Sequence, residues 1–442
     1  MIELIQKLIK PGPAVKLASQ LEGLIRDGKV LPEALLPPVR EVARALGVSP
    51  GTAAAAYKAL RLQGVISTDG RRGTRVLARP SRREYGETPA PPHAIDLQVA
   101  NPDPDLLPDL RGVFARLRDG RVGYGGSHLD PGLVAWARND LAADDIDGEH
   151  LVVTSGAIAA IHRALRCCLS PGDKVAVEDP GFNEHHSSVL SHGMALSPVA
   201  IDDEGMLPAS LQAALAGGAK AVIFSPRFQS PTGAALSKGR AAALSAVLAG
   251  FPDVAILVDD YASLICGSPY HDLIGPRRAR WMVTRSFNKP VAPDLRVGIA
   301  AADAETADRL RREQWCADGW VSGFLQEAAA AAVKSRSISA LIERARGTYQ
   351  ERRETLLREL ADRGVRAHGA SGLNVWIPVT DEAAAARALL DRSWCVRAGA
   401  RYRLRSGPAI RVTIAKLQGK QAARLADDVA AVLGTDGNGR AP

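Results

Sequence analysis

Cysteine is scarce in this 442-residue chain and falls in no useful spacing. Cys167, Cys168, Cys266, Cys316 and Cys395 form no CxxC pair and no metal-ligand pattern. An odd, scattered set argues against a disulfide framework or a zinc module and suits a reducing cytoplasm. No apolar run reaches the roughly 18 residues of a membrane span, so none is expected. No small-residue cleavage site follows the short amphipathic start MIELIQKLIK, which argues against a signal peptide. Internal repeats are missing, and low complexity is confined to alanine-rich helical stretches. What is present is ordinary for a folded protein of two or three domains: 46% hydrophobic and 24% charged residues.

The net charge of +8 is unevenly placed. Residues 1–84 carry 15 Lys and Arg against 7 Asp and Glu, while the remaining 41 basic and 41 acidic residues cancel. A small basic module can gain binding energy by releasing counterions from phosphates; the plainer alternative is a solvated basic tail.

The pattern of that segment is not tail-like. Val15, Ala18, Leu21, Leu24 and Ile25 recur at helical spacing over about 14–27, and Gly28 and Pro32 stop the helix. Val39, Val42, Ala43 and Leu46 mark a second helix ended by Gly47, and Ser49 can cap a third that carries Thr52, Ala56, Tyr57 and Leu60. After Gly64, VISTDGRRGTRVL reads as a hairpin turning at Asp69-Gly70. Two short helices joined by a tight turn and followed by a basic hairpin predict a winged helix-turn-helix over 1–78. Residues 79–94, with four prolines, read as a linker. From Ile95 onward the runs LVVTSG, KVAVEDP, KAVIFSP, VAILVDD and RWMVTRSF read as buried strands alternating with helices, which predicts an α/β domain with a mostly parallel sheet over 95–442. A long helical region spans roughly 321–362. The strands LNVWIPV and AIRVTIA belong to a smaller α+β lobe at about 345–442.

The run LPPVREVARALGVSPGTAAAAYKALRLQGVISTDGRRGTRV resembles the winged-helix module of the GntR family of bacterial repressors. The resemblance implies that Arg40 reaches a phosphate, and that Ser49 and Thr52 contact backbone or base edges. It also implies that Tyr57 and Lys58 belong to the DNA-binding set, and that Arg71, Arg72 and Thr74 on the wing flank the minor groove. Many members carry arginines where this chain has Pro50 and Ala54. Direct base readout by SPGTAAAAY should then be weak, with shape, phosphates and the wing left to act. The alternative is a winged helix kept for dimer contacts.

Ser286-Phe287-Asn288-Lys289, with Arg296 seven residues after the lysine, resembles the lysine segment of fold-type I pyridoxal-phosphate (PLP) enzymes, the aspartate aminotransferase class. There the lysine forms a Schiff base with the cofactor aldehyde while serine and arginine hold its phosphate. On the same resemblance Asp259 pairs with the pyridinium nitrogen and Tyr261 donates to the ring hydroxyl, with Asp260 a solvated neighbour. Ser155, Gly156 and Ala157 open a helix whose free N–H groups suit a phosphate. Phe182 stacks on the ring, and Ser230 stands where the class carries asparagine. Tyr124 reaches the phosphate of a neighbouring subunit. Arg411, in AIRVTIA, grips a substrate carboxylate.

Together the two halves resemble the MocR subfamily of GntR-type regulators, over essentially the whole chain. The resemblance implies a cytoplasmic homodimer, off the membrane and without a metal, that binds double-stranded operator DNA. PLP is its cofactor, and Lys289 senses an amino compound or a B6 vitamer. The competing expectation is an active aminotransferase with an incidental winged helix.

Overall fold

The computed structural model describes residues 1–31, 34–62, 65–68, 73–76, 89–117, 123–124, 127–275 and 278–435. The chain divides into two compact units. One is Met1–Glu87 with the stretches Leu169–Val175 and Ser187–Leu196; the other is the remainder.

In the first unit, helices Ile2–Leu8, Ala14–Arg26, Val39–Leu46 and Pro50–Leu62 surround a small sheet. Gly47 ends the third of these helices in the left-handed conformation, at φ 64°. Ser49 caps the fourth, its Oγ accepting from the Thr52 amide at 3.0 Å. The wing strands Ile66–Thr68 and Thr74–Val76 pair antiparallel, and Leu35–Leu36 adds a third strand that the sequence reading did not foresee. Leu17, Leu21, Val42, Leu46, Leu60, Ile66 and Val76 fill the core. The run of four alanines divides by helical periodicity: Ala53 and Ala56 are buried, Ala54 and Ala55 are exposed.

Tyr57 departs from expectation. It was placed on DNA, but it is 6% exposed and its hydroxyl donates to the Pro37 carbonyl at 2.8 Å. Burial pushes that hydroxyl's pKa well above its ordinary value. Its role is to hold the fourth helix against the segment ahead of the third.

The second unit is built on a mostly parallel eight-stranded sheet. Its order is Leu151–Thr154, Gly298–Ala302, Trp281–Ser286, Ala255–Asp259, Ala219–Phe224, Lys174–Asp179, Ala195–Asp202, Gly205–Met206. Ala255–Asp259 is parallel to both of its neighbours, and Gly298–Ala302 runs antiparallel to both of its own. Thr154, Asp259 and Ser286 therefore finish at one edge, where open α/β sheets bind ligands. Helices cover both faces, so the strands read as unbroken apolar runs. A 27-residue helix, Arg336–Asp362, leads to the smaller sheet of Asn374–Pro378, Ala409–Thr413 and Arg397–Ala398. Ile95–Asp96, the first strand past the expected linker, pairs with Trp394–Cys395.

Replacing Tyr57 by Phe should destabilise the first unit by about 1 kcal/mol, the net contribution of one buried hydrogen bond. Thermal unfolding monitored on that unit checks this, and an unchanged midpoint would deny the bond a role.

Candidate cofactor site

The central strand ends at Asp259, and the aspartate that follows it has a different fate. Asp259 is fully buried, and its Oδ2 lies 2.8 Å from His185 Nε2. Its Oδ1 is buried with no hydrogen-bond partner. Asp260 is not the solvated neighbour expected: it is 1% exposed and clamped by two arginines. Arg227 donates to both of its oxygens at 2.9 Å, and Arg285 Nε to Oδ2 at 3.0 Å. The same arginines reach Asp144, and Arg285 also bonds Asp140 at 2.7 Å. A buried carboxylate survives when paired and hydrogen-bonded in this way.

Around Asp259 the other expected residues assemble. The Phe182 and Tyr261 rings are parallel, with centroids 6.4 Å apart, and the Tyr261 hydroxyl donates to the Phe228 carbonyl at 2.9 Å. Ser230 is buried and its Oγ lacks a partner, as does Asn288 Oδ1. Ser286 Oγ accepts from the Asn288 amide at 3.2 Å. Gly156, at φ 111°, precedes helix Ala157–Cys168; a Cβ there would lie 3.2 Å from an Arg296 Nη2 and 3.1 Å from Asn288 Nδ2. Arg296 bonds the Ser155 carbonyl at 3.0 Å. Ser155 to Ala157, Ser286 and Arg296 thus form one cradle of helix N-terminus, hydroxyl and guanidinium, the chemistry that holds a phosphate.

Lys289 Nζ donates to the Ala100 carbonyl, and Arg411 donates to the Gln98 carbonyl at 2.5 Å. The two cations meet the same short strap, two residues apart. Arg411 is 3% exposed, with its guanidinium carbon 4.8 Å from the centroid of Tyr402. Tyr124 is not brought to this site within the chain. It is 85% exposed and meets Trp320 edge-on at 5.6 Å.

The donor set fits PLP. A buried carboxylate oxygen without a hydrogen-bond partner suits a pyridinium nitrogen, and an aromatic ring, a helix start with a hydroxyl and a guanidinium for a phosphate, and a lysine complete the set.

Comparison with known proteins agrees with both halves. The model of bacterial regulatory proteins of the gntR family matches residues 13–76, and that of aminotransferase class I and II matches 107–429. The vitamin B6 salvage pathway transcriptional repressor PtsJ of Salmonella typhimurium is 39% identical over 94% of this chain and 98% of its own length. The chain belongs to the MocR-type GntR regulators. A pyridoxine biosynthesis regulator, PdxR of Corynebacterium glutamicum, is 26% identical over 78% of each chain. The kynurenine aminotransferase of Pyrococcus horikoshii shares the fold, with TM-score 0.71 at 20% identity, covering 78% of this chain and 92% of that one.

In this MocR-type chain the sequence reading missed two groups. His185 was not singled out, because its contact with Asp259 spans 74 residues of sequence. Glu178 is the penultimate residue of the KVAVED strand, and its Oε2 accepts from the Ser225 amide at 3.1 Å. Burial pushes its pKa up to about 8. Burial also lowers neighbouring His186 to about 4, leaving a neutral ring against the Glu178 carbonyl at 3.1 Å. Of the residues expected to meet DNA, Arg40, Ser49 and Lys58 are exposed, while Thr52 and Thr74 are half-buried. Arg71 and Arg72 lie outside the described residues.

A raised folded pKa means that native Glu178 keeps its proton after the unfolded chain has lost it. Stability should therefore fall as pH rises from the ordinary glutamate range to about 8 and be level above that. Glu178→Gln, which mimics the protonated acid, should be near neutral at pH 4.5 and progressively stabilising toward pH 8. Paired melting curves across that window check the sign. A stabilisation independent of pH would mean that Glu178 is ionised in the folded protein.

Proposed function

We propose that this chain is a PLP-binding, homodimeric transcription regulator of the cytoplasm. Its aminotransferase-like unit senses a B6 vitamer or an amino compound at Lys289, and its N-terminal unit binds operator DNA. The observation that carries the reading is the orphaned Asp259 oxygen inside the Phe182, Tyr261, Lys289 and Arg296 constellation. PLP, when bound, supplies an aldehyde for covalent capture by an amine and a ring that withdraws electrons. Asp259, oriented by His185, would keep the ring nitrogen protonated, and Phe182 would support its face. The Ser155–Ala157 helix start, Ser286 and Arg296 would take the phosphate, and Arg411 a carboxylate. Ser230, shorter than the asparagine of the class, would reach the ring hydroxyl less well and leave Tyr261 as its main partner.

Three lines support regulation over turnover. The N-terminal unit matches a regulator family, the excess basic charge is confined to it, and the names of the relatives cited concern control of vitamin B6 salvage and synthesis. That last point favours a B6 vitamer as the signal. Tyr124, with Trp320, Trp315 and His128 ringed together, supports a second copy on that face, since Trp315 is 57% exposed and such aromatic surface marks interfaces. No helix among the described residues is long and apolar enough to cross a membrane.

Incubation with PLP should colour the protein, and the visible band should be lost in Lys289→Ala. Operator affinity should differ between the coloured and colourless forms. Steady transamination at roughly 1 per second or faster, with operator binding indifferent to PLP, would replace the regulator reading with the enzyme one.

The DNA half has its own test. Operator affinity should fall steeply with salt, and Arg40→Ala should weaken binding similarly across variant operators while reducing the salt slope by about one. A change in sequence preference with an unchanged slope would mean that Arg40 reads bases.

A further inference from the structure

The long helix Arg336–Asp362 carries Arg346, Gln350 and Arg353 at i, i+4 and i+7, which sets them along one face. With Ser268, Phe228 and Gly372 they line a cavity of about 140 Å³. Among the described residues, none that lines it belongs to the set proposed for PLP. Phe228, in its wall, also carries the carbonyl that receives the Tyr261 hydroxyl.

Arg353 is the unusual member of that lining. It is 9% exposed, yet among the described residues its side chain makes one hydrogen bond, from Nη1 to the Gly372 carbonyl at 3.2 Å, and no ion pair. A guanidinium has five N–H donors to place. Arg227 and Arg285 are buried to a similar depth, and each of them meets Asp260 and Asp144. Burial pushes the pKa of Arg353 down, with the charge of Glu354 acting against that shift. Glu354 is exposed, and its Oε1 takes the Gln350 amide at 2.9 Å. Arg346 meets exposed Glu343 and the Leu264 carbonyl, both at 3.0 Å, while its Nε is buried without a hydrogen-bond partner. Solvent screens both glutamates, so neither compensates a cation inside the cavity as a buried acid would.

Water in the cavity can occupy spare donors but leaves the charge of Arg353 uncompensated, and an unpaired buried charge is costly. The space is about tenfold what a single water needs. Planar guanidinium forks match the oxygen spacing of phosphate and similar oxyanions.

We propose that this cavity binds a small tetrahedral oxyanion, phosphate or sulfate, between the guanidiniums of Arg353 and Arg346, with Ser268 as a neutral neighbour. It is a second ligand site, independent of the reading given to Lys289. A free ion and the phosphoryl end of a small monoester share this chemistry, and the arms of the experiment separate them.

The experiment is calorimetric titration of the full chain with inorganic phosphate, sulfate and glycerol 1-phosphate, at constant ionic strength balanced with chloride. The chain is loaded with PLP so that the cradle at Ser155–Ala157 is filled, and Arg296→Ala removes the guanidinium of that cradle as a check. At least one anion should bind saturably, and Arg353→Met should weaken it about tenfold or more, a difference of about 1.4 kcal/mol. Arg353→Lys, which keeps the charge without the fork, should fall between the two, and Arg346→Gln should weaken binding as well. Arg296→Ala should bind as the unaltered protein does. The melting midpoint should rise with phosphate in the unaltered protein and stay level in Arg353→Met. If Arg353→Met does not fold, Arg353→Lys and Arg346→Gln carry the same comparison. Tighter binding of a free ion identifies the ion as ligand; tighter binding of glycerol 1-phosphate identifies a phosphoryl group. No saturable binding up to about 10 mM, well above a millimolar Kd, overturns the inference. So does an affinity indifferent to the Arg353 and Arg346 substitutions, and so does an affinity lost in Arg296→Ala alone, which would assign the ion to the cradle.

Discussion

The candidate cofactor site depends on how two adjacent carboxylates at one strand end are disposed. Asp259 ends the central strand and Asp260 follows it, and consecutive residues of an extended chain face opposite ways. Asp260 is neutralised from behind by Arg227 and Arg285, which also gather Asp140 and Asp144. That cluster crosslinks the strand ends and leaves Asp259 at a fixed position with one oxygen on His185 and the other uncommitted. A single buried carboxylate with a free acceptor is costly unless a cation meets it. The Phe182 ring meets His185, the partner of Asp259, edge-on at 5.3 Å.

The glycines of the cradle serve the same end. Gly298 lies so close to Gly156 that a Cβ on it would meet the Gly156 Cα at 2.9 Å. Strand Gly298–Ala302 can therefore approach the helix start and bring Arg296, which lies just ahead of it, onto the Ser155 carbonyl. The candidate phosphate cradle follows from backbone proximity as much as from the side chains that line it.

Much of this was legible in the sequence, and the limits have physical causes. Apolar runs of five or six residues placed the strands, because both faces of a parallel sheet are buried. Asp259, at a strand end, and Lys289, three residues past one, could be singled out as candidates because strand, turn and helix punctuate their own neighbourhood. Asp260 was misplaced because its partners, Arg285 on a neighbouring strand and Arg227 in the loop after another, are distant in sequence, and no local pattern records that pairing. Tyr57 was misplaced for a related reason: a tyrosine on a helix near a DNA-facing surface reads alike whether its hydroxyl meets a phosphate or the Pro37 carbonyl. The pairing of Ile95–Asp96 with Trp394–Cys395 joins residues about 300 apart, and a two-residue strand has no period to detect. The facing of Arg397 and Arg411 depends on strand register, which only a turn or a neighbouring strand fixes.

The strap between Leu97 and Ala100 gives the site a thermodynamic property that no single residue carries. Lys289 and Arg411 each spend a donor on a backbone carbonyl there, at Ala100 and Gln98. Any group that engages either cation competes with an acceptor already at full effective concentration. Its apparent affinity is then reduced by the fraction of molecules in which that bond is open. The two acceptors are two residues apart on one backbone, so a strap that lifts as a unit would couple the two bonds. Capture at the lysine and capture at the arginine would then be mutually reinforcing, and by linkage equally so in either order.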